Sequence, residues 1–288
     1  MKHNLSFLLI CITLCSVLLC NATDSKSFSI QNITFKSHGI DLAGTIFIPK
    51  RSYAAVVLVH GSGQEKRMSD LGKQLAENGI AVLTYDKRGV GESGGIYVGP
   101  EVGSNNIDRT NLNLLASDVS EAVNKLVDYL PEKTPIGLLG FSQAGWIIPL
   151  ATRLNSQINF MVVFSGPVVS TLEQLRFQFY TNGDQSFWQK HNEAEARLHI
   201  QNDPDKYIFD SFHPVETLDK LTVPGLWLFG GKDVQIPVSL SAENLNKLKH
   251  AGKPYNFLIF PELGHNTGFS KSNNPLFSAI KWIRNLHQ

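Results

Sequence analysis

The chain has 288 residues, 18% of them charged and 42% hydrophobic, and its 26 Lys+Arg against 25 Asp+Glu leave a net charge of +1. That balance excludes a disordered polyelectrolyte, and no basic excess points to a nucleic-acid partner. The length suits one α/β domain or two smaller ones.

In chain order, Lys2 precedes an almost wholly apolar stretch over 5–19, and Cys20-Asn21-Ala22 offers small residues at the −3 and −1 positions of a cut after Ala22. This is the layout of a cleavable signal peptide over residues 1–22. It predicts a secreted or periplasmic protein whose mature domain runs from 23 to 288. Fifteen helical residues reach about 22 Å against a hydrocarbon core of about 30 Å, so no stable membrane span is expected after cleavage. Lipid attachment at Cys20 is disfavoured by the bulky Leu19. Cys11, Cys15 and Cys20 are the chain's three cysteines. The mature chain is therefore expected to hold no disulfide, thiolate metal site or cysteine nucleophile.

From residue 27, two alternating segments, SFSIQNITF and IDLAGTIFI, flank a turn at Ser37 to Gly39 and predict a hairpin. Short, nearly continuous apolar runs follow at 54–60, 80–86, 136–141, 160–166, 226–231 and 256–260, as suits strands buried on both faces. Helix candidates lie between and after them, at about 69–78, 111–130, 143–154, 239–250 and 275–287. The alternation predicts an α/β fold: a mostly parallel central sheet of about eight strands with helices on both faces. Two connections are long enough to be functional, 87–110 and the stretch after Gly166. The second predicts a small helical cap insertion at about 167–222. Its aromatics Phe187, Trp188, Tyr207, Phe209 and Phe212 either form the insertion's own core or line a pocket.

Gly140-Phe141-Ser142-Gln143-Ala144 stands between a strand and a helix pattern. An abrupt turn there needs small residues at 140 and 144, and it presents the Ser142 hydroxyl at the sheet's carboxyl edge, as in a nucleophile elbow. A serine needs a base, and the base an orienting acid. His265 follows the last strand run and Asp233 the one before, so Ser142, Asp233 and His265 each stand just past the carboxyl end of a different strand, on the side where ligands bind. Glu262 is a competing acid, but it is not at a strand end. Val59-His60-Gly61-Ser62-Gly63 ends the strand at 54–60, and the backbone amides of Ser62 and Gln143 are the expected oxyanion hole. His60 reads as a hydrogen bonder that fixes this loop. Gly89-Val90-Gly91-Glu92-Ser93-Gly94 imitates a dinucleotide fingerprint, but loop follows where a helix must open. No cofactor and no metal site is expected.

Together, GIDLAGTIFIP, VLVHGSG, YDKRGVGESGG, LLGFSQAGWIIPLA, FGGKDVQIP and FPELGHN resemble the α/β-hydrolase superfamily, in its serine-hydrolase branch with a small lid, over residues 38–287. The resemblance implies a triad of Ser142, Asp233 and His265, and a structural role for Asp86 to Ser93 beside the site. A serine at the nucleophile position disfavours dehalogenase and epoxide-hydrolase chemistry, which uses aspartate there. The expected activity is cleavage of a carboxylic ester in a small-molecule acyl substrate through an acyl-enzyme. An exopeptidase, with Glu193, Glu195, Asp203 or Asp205 gripping an amino terminus, an acyl thioester hydrolase and an acyltransferase are the alternatives, and a catalytically silent binding module is the remote one. Oligomeric state is not readable from the sequence.

Overall fold

The computed structural model describes residues 27–272 and 274–286. The expected signal segment and its three cysteines lie outside them. The hairpin comes first, with β1 (Phe28–Ser37) and β2 (Ile40–Pro49) in a register that pairs Ser37 with Ile40. His38 (φ 48°) and Gly39 (φ 74°) turn between them, both left-handed as a two-residue turn on twisted strands requires. Then follow β3 (Ala54–Val59), α1 (Ser69–Glu77), β4 (Ile80–Tyr85), α2 (Arg109–Val127), β5 (Ile136–Phe141), α3 (Ala144–Leu154) and β6 (Ile158–Phe164). Four helices lie before the next strand: α4 (Thr171–Thr181), α5 (Phe187–Lys190), α6 (Glu193–Asn202) and α7 (Pro214–Leu218). The chain then runs through β7 (Gly225–Gly230), α8 (Val238–His250), β8 (Tyr255–Phe260) and α9 (Asn274–Leu286).

The eight strands form one sheet in the order β1-β2-β4-β3-β5-β6-β7-β8, parallel from β4 to β8, with the hairpin antiparallel at one edge. Alternate residues of the apolar strands serve different cores. Val56 and Leu58 of β3 face the layer of α1 and α9, with Leu75, Leu276, Ile280 and Ile283. Val57 and Val59 face the layer of α2, α3 and α8, with Leu112, Val119, Ile148 and Leu245. Helices on both faces thus explain why the inner strands are apolar throughout, whereas β8, at the sheet edge, leaves Leu258 and Ile259 each 43% exposed. Each fully buried Leu or Ile contributes about 1.5–3 kcal/mol.

Some helix bounds differ from the sequence reading for a local reason. Asp108 caps α2 by accepting from the Thr110 amide at 2.8 Å, so that helix begins before Asn111. Ser170 and Glu173 form a reciprocal capping box that starts α4.

From β3 the chain moves to β4 on one side, returns across to β5 on the other, and continues through β6, β7 and β8. The switch point therefore lies between β3 and β5, and the loops leaving their carboxyl ends face each other across a crevice.

Candidate active site

At the end of β5 the backbone turns sharply, and Ser142 takes φ +52°. A non-glycine residue seldom adopts that conformation, and its cost is borne by the surrounding packing. The Ser142 amide donates to the Phe164 carbonyl at 3.0 Å, which pins the turn to β6. A Cβ at residue 140 would stand 2.5 Å from the Ala144 Cβ and 2.9 Å from the Val59 Cβ, which accounts for Gly140. The helix side has a second requirement that the sequence reading missed. At Gly145 a Cβ would lie 2.7 Å from backbone atoms of Gly166 and Pro167, so α3 seats directly on the exit of β6.

Ser142 Oγ lies 2.9 Å from His265 Nε2, and His265 Nδ1 lies 2.8 Å from Asp233 Oδ2. Asp233 is 1% exposed. Its Oδ1 accepts from the amides of Gln235 (2.7 Å) and Ile236 (3.1 Å), which leaves Oδ2 for the imidazole. A carboxylate can only accept, so Nδ1 carries the proton and Nε2 is free to take one from the serine hydroxyl. The loops after β7 and β8 reach this spacing through close backbone approach: a Cβ at Gly230 would fall 2.1 Å from the Gly264 carbonyl. Glu262, the competing acid, is mostly exposed and pairs with Lys232.

The amides of Ser62 and Gln143 donate to no protein group among the described residues. Four further residues hold the loop that carries Ser62. Lys87, 3% exposed at the end of β4, donates from Nζ to the carbonyls of Gly61 (2.6 Å) and Gly63 (3.3 Å) and to Gln143 Oε1 (3.1 Å). One ammonium thus ties the β3 loop to the elbow. Tyr97 Oη and Asn106 Nδ2 donate to the Ser62 carbonyl at 2.8 and 3.2 Å, and Glu65 accepts from the Gly61 amide at 3.0 Å. Burial lowers the Lys87 pKa to about 8, with Glu65 and Glu101 opposing the fall. A lysine two residues past the buried strand β4 is the one signal of this role present in the sequence.

His60 turns away from the serine. Its Nε2 donates to the Tyr85 carbonyl at 2.6 Å, and burial, helped by the Lys87 charge, lowers its pKa to about 3. The glycines of the 89–94 stretch answer to packing. Gly91 (φ +59°) has no room for a Cβ beside the Asp86 carboxylate, nor Gly89 (φ +72°) beside the Tyr97 backbone. Burial pushes the Asp86 carboxyl up, but bonds from the Arg67 guanidinium and from the amides of Glu92 and Arg67 outweigh it and hold the pKa at about 2.

Two cavities meet at Ser142. The smaller, about 200 Å³, has His265, Glu65, Phe141, Phe164 and Phe269 in its wall. The larger, about 760 Å³, lies beneath α4 and the 100–107 loop, and among the described residues its wall contains no Asp, Glu, Lys, Arg or His. Of the five insertion aromatics, Tyr207 lines the larger cavity. Phe187 and Trp188 pack with Phe177 of α4, and the Trp188 indole donates to the Asp233 carbonyl at 2.8 Å. Phe212 joins the main core, with Phe209 against it. The acids of the insertion are engaged elsewhere: Glu193 with Arg197, Glu195 in the cap of α6, and Asp203 with the Tyr207 hydroxyl. Asp205 is exposed and outside either cavity wall. Among the described residues no cluster of three His, Cys, Asp or Glu could hold a metal ion, and no helix is long and apolar enough to cross a membrane.

A family model described as "Serine aminopeptidase, S33" matches residues 50–204, just over half of the chain. Esterase EstD of Thermotoga maritima is 28% identical over an alignment of 272 positions that covers 84% of this chain and 61% of that protein. The chain thus spans about three fifths of the length of this curated relative. Among solved structures, an acylaminoacyl peptidase of Pyrococcus horikoshii superposes with a TM-score of 0.64 at 17% identity, over 91% of this chain and 41% of the other. An esterase of Pyrococcus furiosus does so with 0.66 at 18% identity, over 91% and 92%. At these identities the likeness to the solved structures is one of fold.

Proposed function

The chain belongs to the family described as serine aminopeptidase, S33, a family of α/β-hydrolase serine hydrolases, and from that premise we propose that it is a carboxylic ester hydrolase working through an acyl-enzyme on Ser142. The observation that carries this reading is the hydrogen-bonded chain from Ser142 Oγ through His265 to Asp233, at 2.9 and 2.8 Å. Ser142 attacks the ester carbonyl while its proton passes to His265 Nε2. Negative charge develops on the carbonyl oxygen beside the amides of Ser62 and Gln143, where fixed donors stabilise it without reorganising. As the tetrahedral adduct collapses, His265 returns the proton to the departing alkoxide, and the acyl group stays on Ser142. Water then attacks the acyl carbon, giving up its proton to His265, which returns it to Ser142 Oγ as the acid is released. Asp233 stays ionised throughout and holds the imidazolium.

Ester cleavage is favoured over aminopeptidase action by charge. A substrate with a free amino terminus brings an ammonium group on its acyl side, and burying it without a carboxylate partner is costly. Among the described residues the larger cavity has no acid in its wall, and Glu65 beside the smaller one already accepts from the Gly61 amide. The esterase name of the 28% identical relative points the same way.

The test compares short p-nitrophenyl esters with aminoacyl p-nitroanilides on wild type and Ser142→Ala. We expect ester turnover by wild type, a loss of about 10⁴-fold or more in the variant, and little anilide cleavage. Ester turnover unchanged in Ser142→Ala would overturn the assignment, and faster anilide cleavage would move it to the peptidase reading.

A further inference from the structure

We infer that the larger cavity is the acyl site, and that it selects an uncharged acyl group bearing its own amide or hydroxyl groups over a plain alkyl chain. The inference rests on the ester-hydrolase reading and extends it to the substrate.

Orientation follows from the proton path. His265 Nε2 takes the serine proton and must hand it to the leaving oxygen, so that oxygen lies on the imidazole side of Ser142 Oγ. His265 is in the wall of the smaller cavity, about 200 Å³. The leaving alcohol therefore departs through that side. The acyl group extends the opposite way, into the larger space of about 760 Å³ whose wall holds Ser62, Ser142 and Gln143 but not His265.

Selectivity follows from what α4 presents there. Gln174, Gln178 and Asn182 recur every fourth residue and form one stripe along the helix and its carboxyl cap, facing the cavity. Gln174 Nε2 donates to Gln178 Oε1 at 3.0 Å and to the Gln235 carbonyl at 2.9 Å, which fixes its orientation. That leaves the Gln178 amide hydrogens and the Asn182 side chain to meet a ligand. Apolar surface is supplied by Leu175 of the same helix, by Trp146, and by ring faces, with Phe179 stacked on Tyr207 at 5.8 Å, all lining the same space.

An alkyl chain laid on this stripe would strip water from carboxamides and return no hydrogen bond, which disfavours it. An ionised acyl group would find no counter-charge. A neutral chain of amides or hydroxyls satisfies both constraints, because a carboxamide donates and accepts alike.

The experiment varies only the acyl group on a p-nitrophenyl leaving group: acetyl, octanoyl, N-acetyl-dipeptidyl and 3-hydroxybutyryl. We expect kcat/KM for the dipeptidyl or the hydroxyacyl ester to exceed that for octanoate by tenfold or more, and the better of the two identifies the source of the hydrogen-bonding groups. Gln178→Leu removes one carboxamide, and Asn182→Gly removes another while keeping its left-handed backbone (φ 46°). Each should lower the ratio of the preferred ester to octanoate by fivefold or more. Octanoate equal to or better than both polar esters, or ratios unmoved in both variants, would overturn the inference. Should none of the four esters turn over, the ester reading fails on its own. The acyl preference is then read from protection of Ser142 against a fluorophosphonate by N-acetyl-dipeptidyl aldehyde and by octanal, where stronger protection by octanal overturns it.

Discussion

Replacing Lys87 with Met tests whether the two amides proposed as the oxyanion hole are held in register by one buried charge. The substitution keeps the aliphatic stem but removes a group that bonds Gly61 and Gly63 on one side and Gln143 on the other. Three acceptors lose their donor, at about 1–3 kcal/mol each. Against this, the folded chain no longer bears the burial of the ammonium, and a pKa lowered from 10.5 to about 8 corresponds to a cost of about 3 kcal/mol. The net loss of stability is therefore modest, near 3 kcal/mol if each acceptor costs about 2. Catalysis should suffer more, since displacing one oxyanion donor typically costs about 10²–10³ in kcat. Ester kinetics and urea denaturation on the same preparations separate the two effects. We expect a folded variant with kcat reduced about 100-fold and KM little changed. The pH dependence adds an independent sign. Because the folded pKa lies below the unfolded one, the ammonium's burial cost is fully present below pH 8 and is relieved as pH rises from 8 towards 10.5. Over that window wild type should gain stability relative to Lys87→Met, while its activity falls as a neutral amine, with two N–H groups, fails to serve three acceptors. A folded Lys87→Met with kcat within threefold of wild type, or a stability difference flat from pH 8 to 10, would refute the reasoning.

Two other perturbations follow from buried ionisable groups. His60 has a folded pKa of about 3 against the ordinary 6.5, so its contribution is complete above pH 6.5 and is lost as pH falls towards 3, by about 1.4 kcal/mol per pH unit. His60→Asn should be less acid-sensitive in that window by thermal denaturation, and parallel pH profiles for the two proteins would contradict this. Arg88 donates from Nε to Asp118 Oδ2 at 2.9 Å and also pairs through Nη2, deep between the 87–95 loop and α2. Asp118→Asn leaves a buried guanidinium without its counter-charge and should cost about 3–5 kcal/mol in denaturant unfolding. A loss under about 1 kcal/mol would mean that the pair is better solvated than its burial implies.

Much of the fold can be read from local pattern. Apolar runs such as AAVVLV and IGLLGF are too short for helices and too uniformly apolar for a half-exposed sheet, so their burial on both faces follows from composition. The order of Ser142, Asp233 and His265, each past a strand end, is legible because parallel strands put their carboxyl ends on one side. Other features have no local signature. Gly145 is required by Gly166 and Pro167, which are remote in sequence, and the carboxamide stripe of α4 is ordinary surface until the cavity beneath it is known. The insertion aromatics left two readings open, and packing against Phe177 and the main core decides most of them.

The sequence by itself determined the sheet, the elbow and the order of the candidate triad, because those depend on periodicity and on steric rules that act within a few residues. Only the tertiary structure decided that Lys87 bridges the loops after β3 and β5, that the described residues of the larger cavity's wall carry no charge, and that His265 stands on the side of the smaller one. These properties depend on distances between residues far apart in the chain. Topology sets those distances by crossing back at β3 and bringing unrelated loops to one edge of the sheet.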